Sequence, residues 1–304
     1  MRNSVDLMRF SLIMATINRT DEVLRLLKSL NEQSYKNFEL IIVDQNNDDR
    51  IDAILQNNKL SFHYIHLKSE KGLSKARNIG LKHISGDIVC FPDDDCEYSK
   101  ETLEQARSCF KNNEVDGVVG VLKTLGNKKI CNVSSFYREN SDLIDFKDIF
   151  MGIGSAQVFY KKEVFLKIGN FDEYLGAGTD FGSGEDGDIL VRAMSNKCKL
   201  YFNGEVEIFH PDLPLNYNDP KLSIRFYNYS KGRGALFKKY IIDSVNYSIL
   251  WIFIEEIFRL GLSTVRDLFI NYGRSKVKMK MLLGYIYGFR KYKHLRKGIR
   301  DKAI

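Results

Sequence analysis

The stretch Ile88-Val89-Cys90-Phe91-Pro92-Asp93-Asp94-Asp95 joins an apolar run of strand length to three consecutive carboxylates. The run reads as a buried strand, and Pro92 disfavours its continuation as a central one, because proline has no N–H to give to a ladder. The carboxylates therefore fall at the carboxyl end of a strand, where open α/β sheets bind ligands. Crowding them is costly. Two unit charges ~4 Å apart repel by about 1 kcal/mol in water and by roughly 4 kcal/mol at an effective dielectric near 20. A hard divalent cation reverses that cost by taking carboxylate oxygens as ligands. On the triplet alone, a solvated acidic turn is the competing reading.

The residues around this stretch alternate between strand and helix patterns. Phe10-Ser11-Leu12-Ile13-Met14-Ala15 and Phe38-Glu39-Leu40-Ile41-Ile42-Val43 are apolar runs of strand length, the second closed by Asp44. Val23, Leu26, Leu27 and Leu30 recur at the helical period behind Thr20-Asp21-Glu22, which can cap a helix. A polar helix is expected near 48–57, a strand over 62–66 and a helix over 73–84. Ser85-Gly86 turns into the fourth strand, and a helix near 100–111 leads to the strand beginning at Gly117. Repeated strand–helix alternation argues for a mostly parallel sheet with helices on both faces. Further on, 155–160 reads as a strand and 162–168 as a short helix. A glycine-rich segment, Gly176 to Asp188, leads into a helix carrying Ile189, Leu190, Ala193 and Met194. Residues 200–202 and 206–209 read as two strands, the second stopped by His210-Pro211. From about Pro220 the pattern is helical.

Composition sets bounds on the protein's class. The chain has 304 residues, 44% hydrophobic and 28% charged, enough for a substantial core and against wholesale disorder. Five scattered cysteines form no C-x-x-C pair, so neither a zinc site nor a disulfide framework is indicated and a reducing compartment fits best. The first residues lack an apolar h-region, so a secretory signal is not expected. The longest uncharged run in the apolar segment 245–270 is 244–254, too short to span a bilayer. That segment reads as a buried or interfacial amphipathic helix. Residues 274–304 hold eleven Lys or Arg against one acid, Asp301. This asymmetry points to an anionic partner for the tail, and the interleaved Tyr285, Tyr287, Phe289 and Tyr292 suit a bilayer interface. No recognised nucleic-acid module accompanies the charge.

Five ordered fragments, covering about residues 10–210, resemble the family 2 glycosyltransferases of GT-A fold. They are Ser11 to Arg19, Ile41-Ile42-Val43-Asp44, Gly72-Leu73-Ser74-Lys75-Ala76-Arg77-Asn78-Ile79-Gly80, Phe91-Pro92-Asp93-Asp94-Asp95 and Gly184-Glu185-Asp186. The resemblance implies an α/β fold with a mixed, mostly parallel sheet flanked by helices. It implies a catalytic domain over 1–215, with a nucleotide-sugar half to about 120 and an acceptor half beyond. A basic helical region over 216–304 follows. The activity implied is inverting transfer from a nucleotide sugar, UDP-linked by family frequency, to a glycan or lipid-linked acceptor in cell-surface polysaccharide synthesis. The implied location is the inner face of the cell membrane, reached peripherally through 274–304. Oligomeric state is left open.

Residue by residue, the resemblance gives Asp93 and Asp95 a divalent cation, Mg²⁺ or Mn²⁺. They would point together if the strand's alternation persisted through the triplet. Asp94 would meet the ribose or donor sugar. Asp44 would accept from the base, although Gln45-Asn46-Asn47 stands where the family often has Asp-Gly-Ser. Thr16 would touch the nucleotide, and Arg77 a phosphate. Asp186 would be the base and Glu185 would orient the acceptor. The residues alone also read as acids stabilising a helix start. His210 would join the metal, or serve as a structural turn histidine. His63 and His66 read as strand-surface or packing residues. The glycines before Glu185 would let the loop pack close to sugars. Asp180-Phe181-Gly182 spells a kinase motif, but no His-Arg-Asp accompanies it. Two other classes remain: a nucleotidyltransferase of related fold, disfavoured by the glycine-free loop after the first strand, and a non-catalytic sugar-binding membrane scaffold, disfavoured by the retained carboxylates.

Overall fold

The protein is described by a computed structural model covering residues 8–126, 129–134, 136–244 and 246–292. The described chain divides into two compact units: 8–171 with Ile189–Leu213, and Asp172–Asp188 with 214–292. Segment 172–188, grouped on sequence with 121–215, thus clusters with the C-terminal helices.

The first unit is built on a mixed sheet in the order β3-β2-β1-β4-β8-β6-β9-β5, with β7 beside β9. Its first half comprises β1 (Phe10–Thr16), β2 (Phe38–Asp44), β3 (His63–Lys68) and β4 (Ile88–Cys90). All of these pair in parallel. Every residue of β2 and nearly every residue of β1 is buried, which is why both read as unbroken apolar runs. Each large side chain so buried contributes about 1.5–3 kcal/mol. Helices α1 (Asp21–Asn31), α2 (Arg50–Asn57) and α3 (Leu73–Leu81) make the crossovers. α1 turns Val23, Leu26, Leu27 and Leu30 into the core, as its periodicity predicts. Helix α3 lies so close to β1 that a Cβ at Gly80 would collide with Ile13.

Beyond β4 come β5 (Glu97–Tyr98), α4 (Thr102–Asn112), β6 (Gly117–Thr124), β7 (Asp142–Leu143), β8 (Val158–Lys161) and α5 (Lys162–Ile168). Here the antiparallel pairs β4–β8, β6–β8, β5–β9 and β7–β9 are short, while β6–β9 is a long parallel ladder. Two expectations change. Residues 155–157 form a 3₁₀ turn before β8 rather than its first half. Residues 200–210 form one strand, β9 (Leu200–His210), not two. Its two ends pair with β6 over 200–202 and 207–210, and a bulge over 203–206, opposite Gly120, joins them. All five cysteines are buried and free.

In the second unit, α7 (Pro220–Lys238) starts with Pro220 at its first position, and its N-cap Asp219 accepts from Lys221 N. A π-helical turn, Lys239–Asp243, separates it from α8 (Tyr247–Ile270), and α9 (Tyr272–Lys291) follows. Asn246 and Asn271 cap α8 and α9 by accepting from Ile249 N and Arg274 N. α8 and α9 run antiparallel, with Phe253 stacked on Phe289. Phe237 of α7 packs on Phe253 and Tyr285. No helix among the described residues is long and apolar enough to cross a membrane. Helix α6 (Glu185–Ser195) begins in the second unit and ends in the first.

Candidate active site

β4 stops at Cys90, so the strand alternation expected to align Asp93 with Asp95 is not available. A turn aligns them instead: Cys96 N donates to Asp93 O at 3.1 Å, folding the triplet back on itself. The β5–β9 pair then brings the end of β9 beside this turn, through Glu97 opposite Phe209. Ligand atoms of Asp93, Asp95, Cys96 and His210 consequently lie within 4.8 Å of one another.

The His210 ring is held from its far side. Its Nδ1 donates to Pro211 O at 2.6 Å, and its Nε2 faces Asp95 Oδ1 at 3.5 Å. A neutral imidazole whose Nδ1–H is so committed keeps its lone pair on Nε2, and backbone anchoring of the far nitrogen is the usual support of a metal-binding histidine. Cys96 is fully buried, and burial pushes its thiol well above the ordinary range. The hard part of the set, two carboxylates with one imidazole, fits Mg²⁺ or Mn²⁺.

Two guanidinium groups hold the three aspartates. Arg19 Nη1 donates to Asp94 Oδ1 at 2.5 Å and lies 2.7 Å from Asp95 Oδ2. Thr16 Oγ1 donates to the other Asp94 oxygen at 2.7 Å. Asp94 is 8% exposed; burial pushes its carboxyl above the ordinary range, and Arg19 draws it only part of the way back. Arg77 is buried rather than on a solvated helix face. Its guanidinium lies over the rings of Phe91 and Phe171, and Nη2 donates to Asp93 Oδ1 at 3.2 Å. Two fixed cations against three carboxylates leave one negative charge, which again suits a cation. Arg19 carries no role in the sequence reading. The signal was the crowding itself, since three neighbouring carboxylates call for counter-charge from elsewhere in the chain.

Asp44 ends β2 with its side chain fully buried. Asn46 donates to Oδ1 from both its backbone N, at 2.8 Å, and its Nδ2, at 2.7 Å. Lys68 Nζ donates to Oδ2 at 2.8 Å, and His66 Nε2 faces the same oxygen at 3.2 Å. Burial works to raise this carboxyl, but these partners outweigh it and hold it below the usual carboxylate range. His66 is therefore a member of this cluster rather than a packing residue. The Asn46 amide also accepts from Asn18 N at 2.7 Å, where Asn18 takes a left-handed turn with φ of 59°. Gln45 accepts from Gly72 N at 2.7 Å. The loops after β1 and β2 and the start of α3 are thus stitched together, and the residues that depart from the family pattern make the stitches.

The second unit carries the other two predicted residues. Glu185 and Asp186 open α6, with Glu185 buried and Asp186 half-buried. Gly184 has φ of +100°, and a Cβ there would lie 2.8 Å from Gly232 O. Gly182 and Gly184 thus serve close packing on α7. Asp188 is closed off: Lys239 Nζ lies 2.6 Å from Oδ1, and Tyr240 OH donates to it at 2.7 Å. Of the predicted site residues, Thr16, Arg77, Asp93, Asp94, Asp95 and His210 converge on one end of the sheet. Asp44 lies at a neighbouring strand end, and Glu185 with Asp186 belongs to the other unit.

Residues 11–162 match the family described as "Glycosyl transferase family 2". The chain is 37% identical over 113 residues to the amylovoran biosynthesis glycosyltransferase AmsB of Erwinia amylovora, covering 36% of this chain and 38% of that one. It is 30% identical over 129 residues to the poly(ribitol-phosphate) β-N-acetylglucosaminyltransferase TarS of Staphylococcus aureus, covering 41% of this chain and 22% of TarS. The chain thus spans well under two thirds of these curated relatives. The structure of TarS residues 1–349 with UDP-GlcNAc superposes over 95% of this chain and 93% of that one, at 19% identity and a TM-score of 0.57. The mannosyltransferase PcManGT of Pyrobaculum calidifontis, solved with GDP-Man and Mn²⁺, superposes over 94% of this chain and 88% of that one, at 16% identity and a TM-score of 0.63. At these identities the superpositions establish the shared fold.

Proposed function

The chain belongs to glycosyl transferase family 2, and on that premise we propose that it transfers a sugar from a nucleotide-sugar donor to a glycan or lipid-linked acceptor, inverting the anomeric carbon. One observation carries the reading: two carboxylates and a pre-oriented imidazole converge at the carboxyl end of the sheet, where such folds bind nucleotides. Asp93, Asp95 and His210 would hold Mg²⁺ or Mn²⁺, which would supply neutralising charge to a diphosphate leaving group. The chain's own groups do the rest. Arg77 keeps Asp93 in position. Arg19 and Thr16 fix Asp94 toward the ribose or donor sugar. Asp44 organises Asn46, His66 and Lys68 beside the base, with uridine the default. The acceptor oxygen attacks the anomeric carbon as Asp186 takes its proton, while Glu185 orients the acceptor. The bond from that carbon to the diphosphate oxygen breaks, and the nucleoside diphosphate leaves with the electron pair. The named relatives support a role in cell-surface polysaccharide synthesis. The charge of 274–304 supports peripheral placement at the inner membrane face, although its part beyond 292 lies outside the described residues.

A nucleotide-sugar panel, with and without Mg²⁺ or Mn²⁺, is expected to release nucleoside diphosphate from one donor in a cation-dependent way. Release of pyrophosphate from a nucleoside triphosphate would overturn the reading in favour of nucleotidyl transfer. Donor binding without turnover across a broad acceptor panel would favour a scaffold. The metal assignment has its own test. His210→Phe should raise the Mn²⁺ concentration for half-maximal rate at least as much as the ~10–100-fold that loss of an outer-shell partner costs. An unchanged cation requirement would remove His210 from the site.

A further inference from the structure

Helix α8 carries a surface that the transfer reaction does not use. Trp251, Ile254, Phe258, Leu262, Val265 and Phe269 are spaced three or four apart, and each is between 47% and 87% exposed. At ~100° per residue they fall within an arc of roughly 80°, one continuous face of the helix. Charged residues border the arc rather than break it: Glu255 and Arg259 pair across one turn at 3.7 Å, and Arg266 follows. Exposed apolar stripes of this length mark an interaction site. The neighbouring α9 presents Met279, Leu283 and Ile286 to solvent, interleaved with the exposed cations Lys276, Lys280 and Arg290. α9 contains no acidic residue.

We propose that the apolar face of α8 lies in the interfacial layer of an anionic lipid bilayer, with the cations of α9 against the headgroups. The charge pattern selects this occupant. A two-fold pairing of two copies through this hairpin would bring like-charged α9 faces together, whereas an anionic surface complements them. The apolar width, the bordering charges and the flanking Tyr247 and Tyr272, 71% and 70% exposed, fit a helix lying in the interface. This goes beyond electrostatic attraction of the tail, because it assigns insertion to a helix outside 274–304.

Trp251 is the single tryptophan of the chain and sits on the proposed face, so its fluorescence reports contact directly. The full chain is titrated with vesicles of phosphatidylcholine containing 30% phosphatidylglycerol, and with phosphatidylcholine alone. The expected result is a blue-shifted emission protected from acrylamide, stronger with phosphatidylglycerol. Phe258→Glu, at a site 65% exposed and so neutral for folding as checked by circular dichroism, should weaken vesicle binding by about tenfold or more. Lys276→Glu should weaken the phosphatidylglycerol-dependent part by about fivefold or more. Sedimentation with vesicles while Trp251 emission stays unchanged would overturn the proposal and leave attraction by the tail alone. A blue shift that follows protein concentration without vesicles would assign the face to a second copy. No response in either titration would overturn insertion outright. None of these readouts depends on sugar transfer, so they stand or fall separately from the enzymatic reading.

Discussion

Asp186→Asn is expected to lower the rate of sugar transfer by about 10²–10⁴-fold while leaving donor affinity within a few-fold of the parent. Three acids open α6, and their surroundings separate them. Asp188 is fully buried and engaged by Lys239 and Tyr240. Glu185 is 7% exposed. Asp186 is the most accessible of the three, which is what a base that must meet an acceptor hydroxyl requires. Asn preserves shape but removes the negative charge and the ability to take a proton. The lost helix-start electrostatics are worth roughly 0.3–1 kcal/mol, too little to unfold the segment. Two measurements separate the effects: single-turnover transfer with saturating donor, and calorimetric donor binding without acceptor. Transfer at near-parental rate would remove Asp186 as the base. Collapse in Glu185→Gln with activity retained in Asp186→Asn would exchange their roles.

Legibility from sequence followed the range of the interaction. β1 and β2 were readable because a parallel strand buried on both faces must be apolar throughout. α1 was readable because its buried face repeats every 3.6 residues. The placement of Asp93 to Asp95 at a strand end followed from Pro92, and the convergence of Asp93 and Asp95 was anticipated, though through the wrong geometry. Three residues of β4 were too few to carry alternation that far, and the turn did the work. β9 was misread as two strands because Asn203-Gly204 is a strong local turn signal. The paired runs 200–202 and 207–210 flank that signal, and a bulge over 203–206 carries one strand across it. Arg19 and Lys68 carry no role in the sequence reading, and His66 reads there as a surface or packing residue, for a different reason. Their partners lie 14 or more residues away, and no local pattern records which carboxylate a cation will meet. The same holds for Asp172 and Lys239, 67 residues apart.

Lys239 is where the second large effect is expected. It is 5% exposed and reaches two buried carboxylates, Asp172 at 2.8 Å and Asp188 at 2.6 Å. Tyr292 OH donates to Asp172 at 2.5 Å, and Tyr240 OH to Asp188 at 2.7 Å. Removing one partner of a buried ion pair leaves uncompensated charge and costs about 3–5 kcal/mol. Lys239→Met should therefore lower the melting temperature by several degrees, at roughly 2–4 °C per kcal/mol for a domain of 150–250 residues. The two aspartates bound segment 172–188, which carries Glu185 and Asp186, so one ammonium ties both ends of that segment to the turn after α7. Its loss should also open the glycine-rich stretch from Gly176 to Gly184 to proteolysis, and lower kcat with the donor KM little changed. Lys239→Arg keeps the charge and should recover part of both effects. The triple variant Lys239→Met, Asp172→Asn, Asp188→Asn separates the electrostatic account from a purely steric one. With the buried charges gone it should be more stable than Lys239→Met alone, because the penalty comes from orphaned carboxylates rather than from a lost side-chain volume. If the triple variant melts below the single one, the network is held by packing, and the ion pairs are incidental to it.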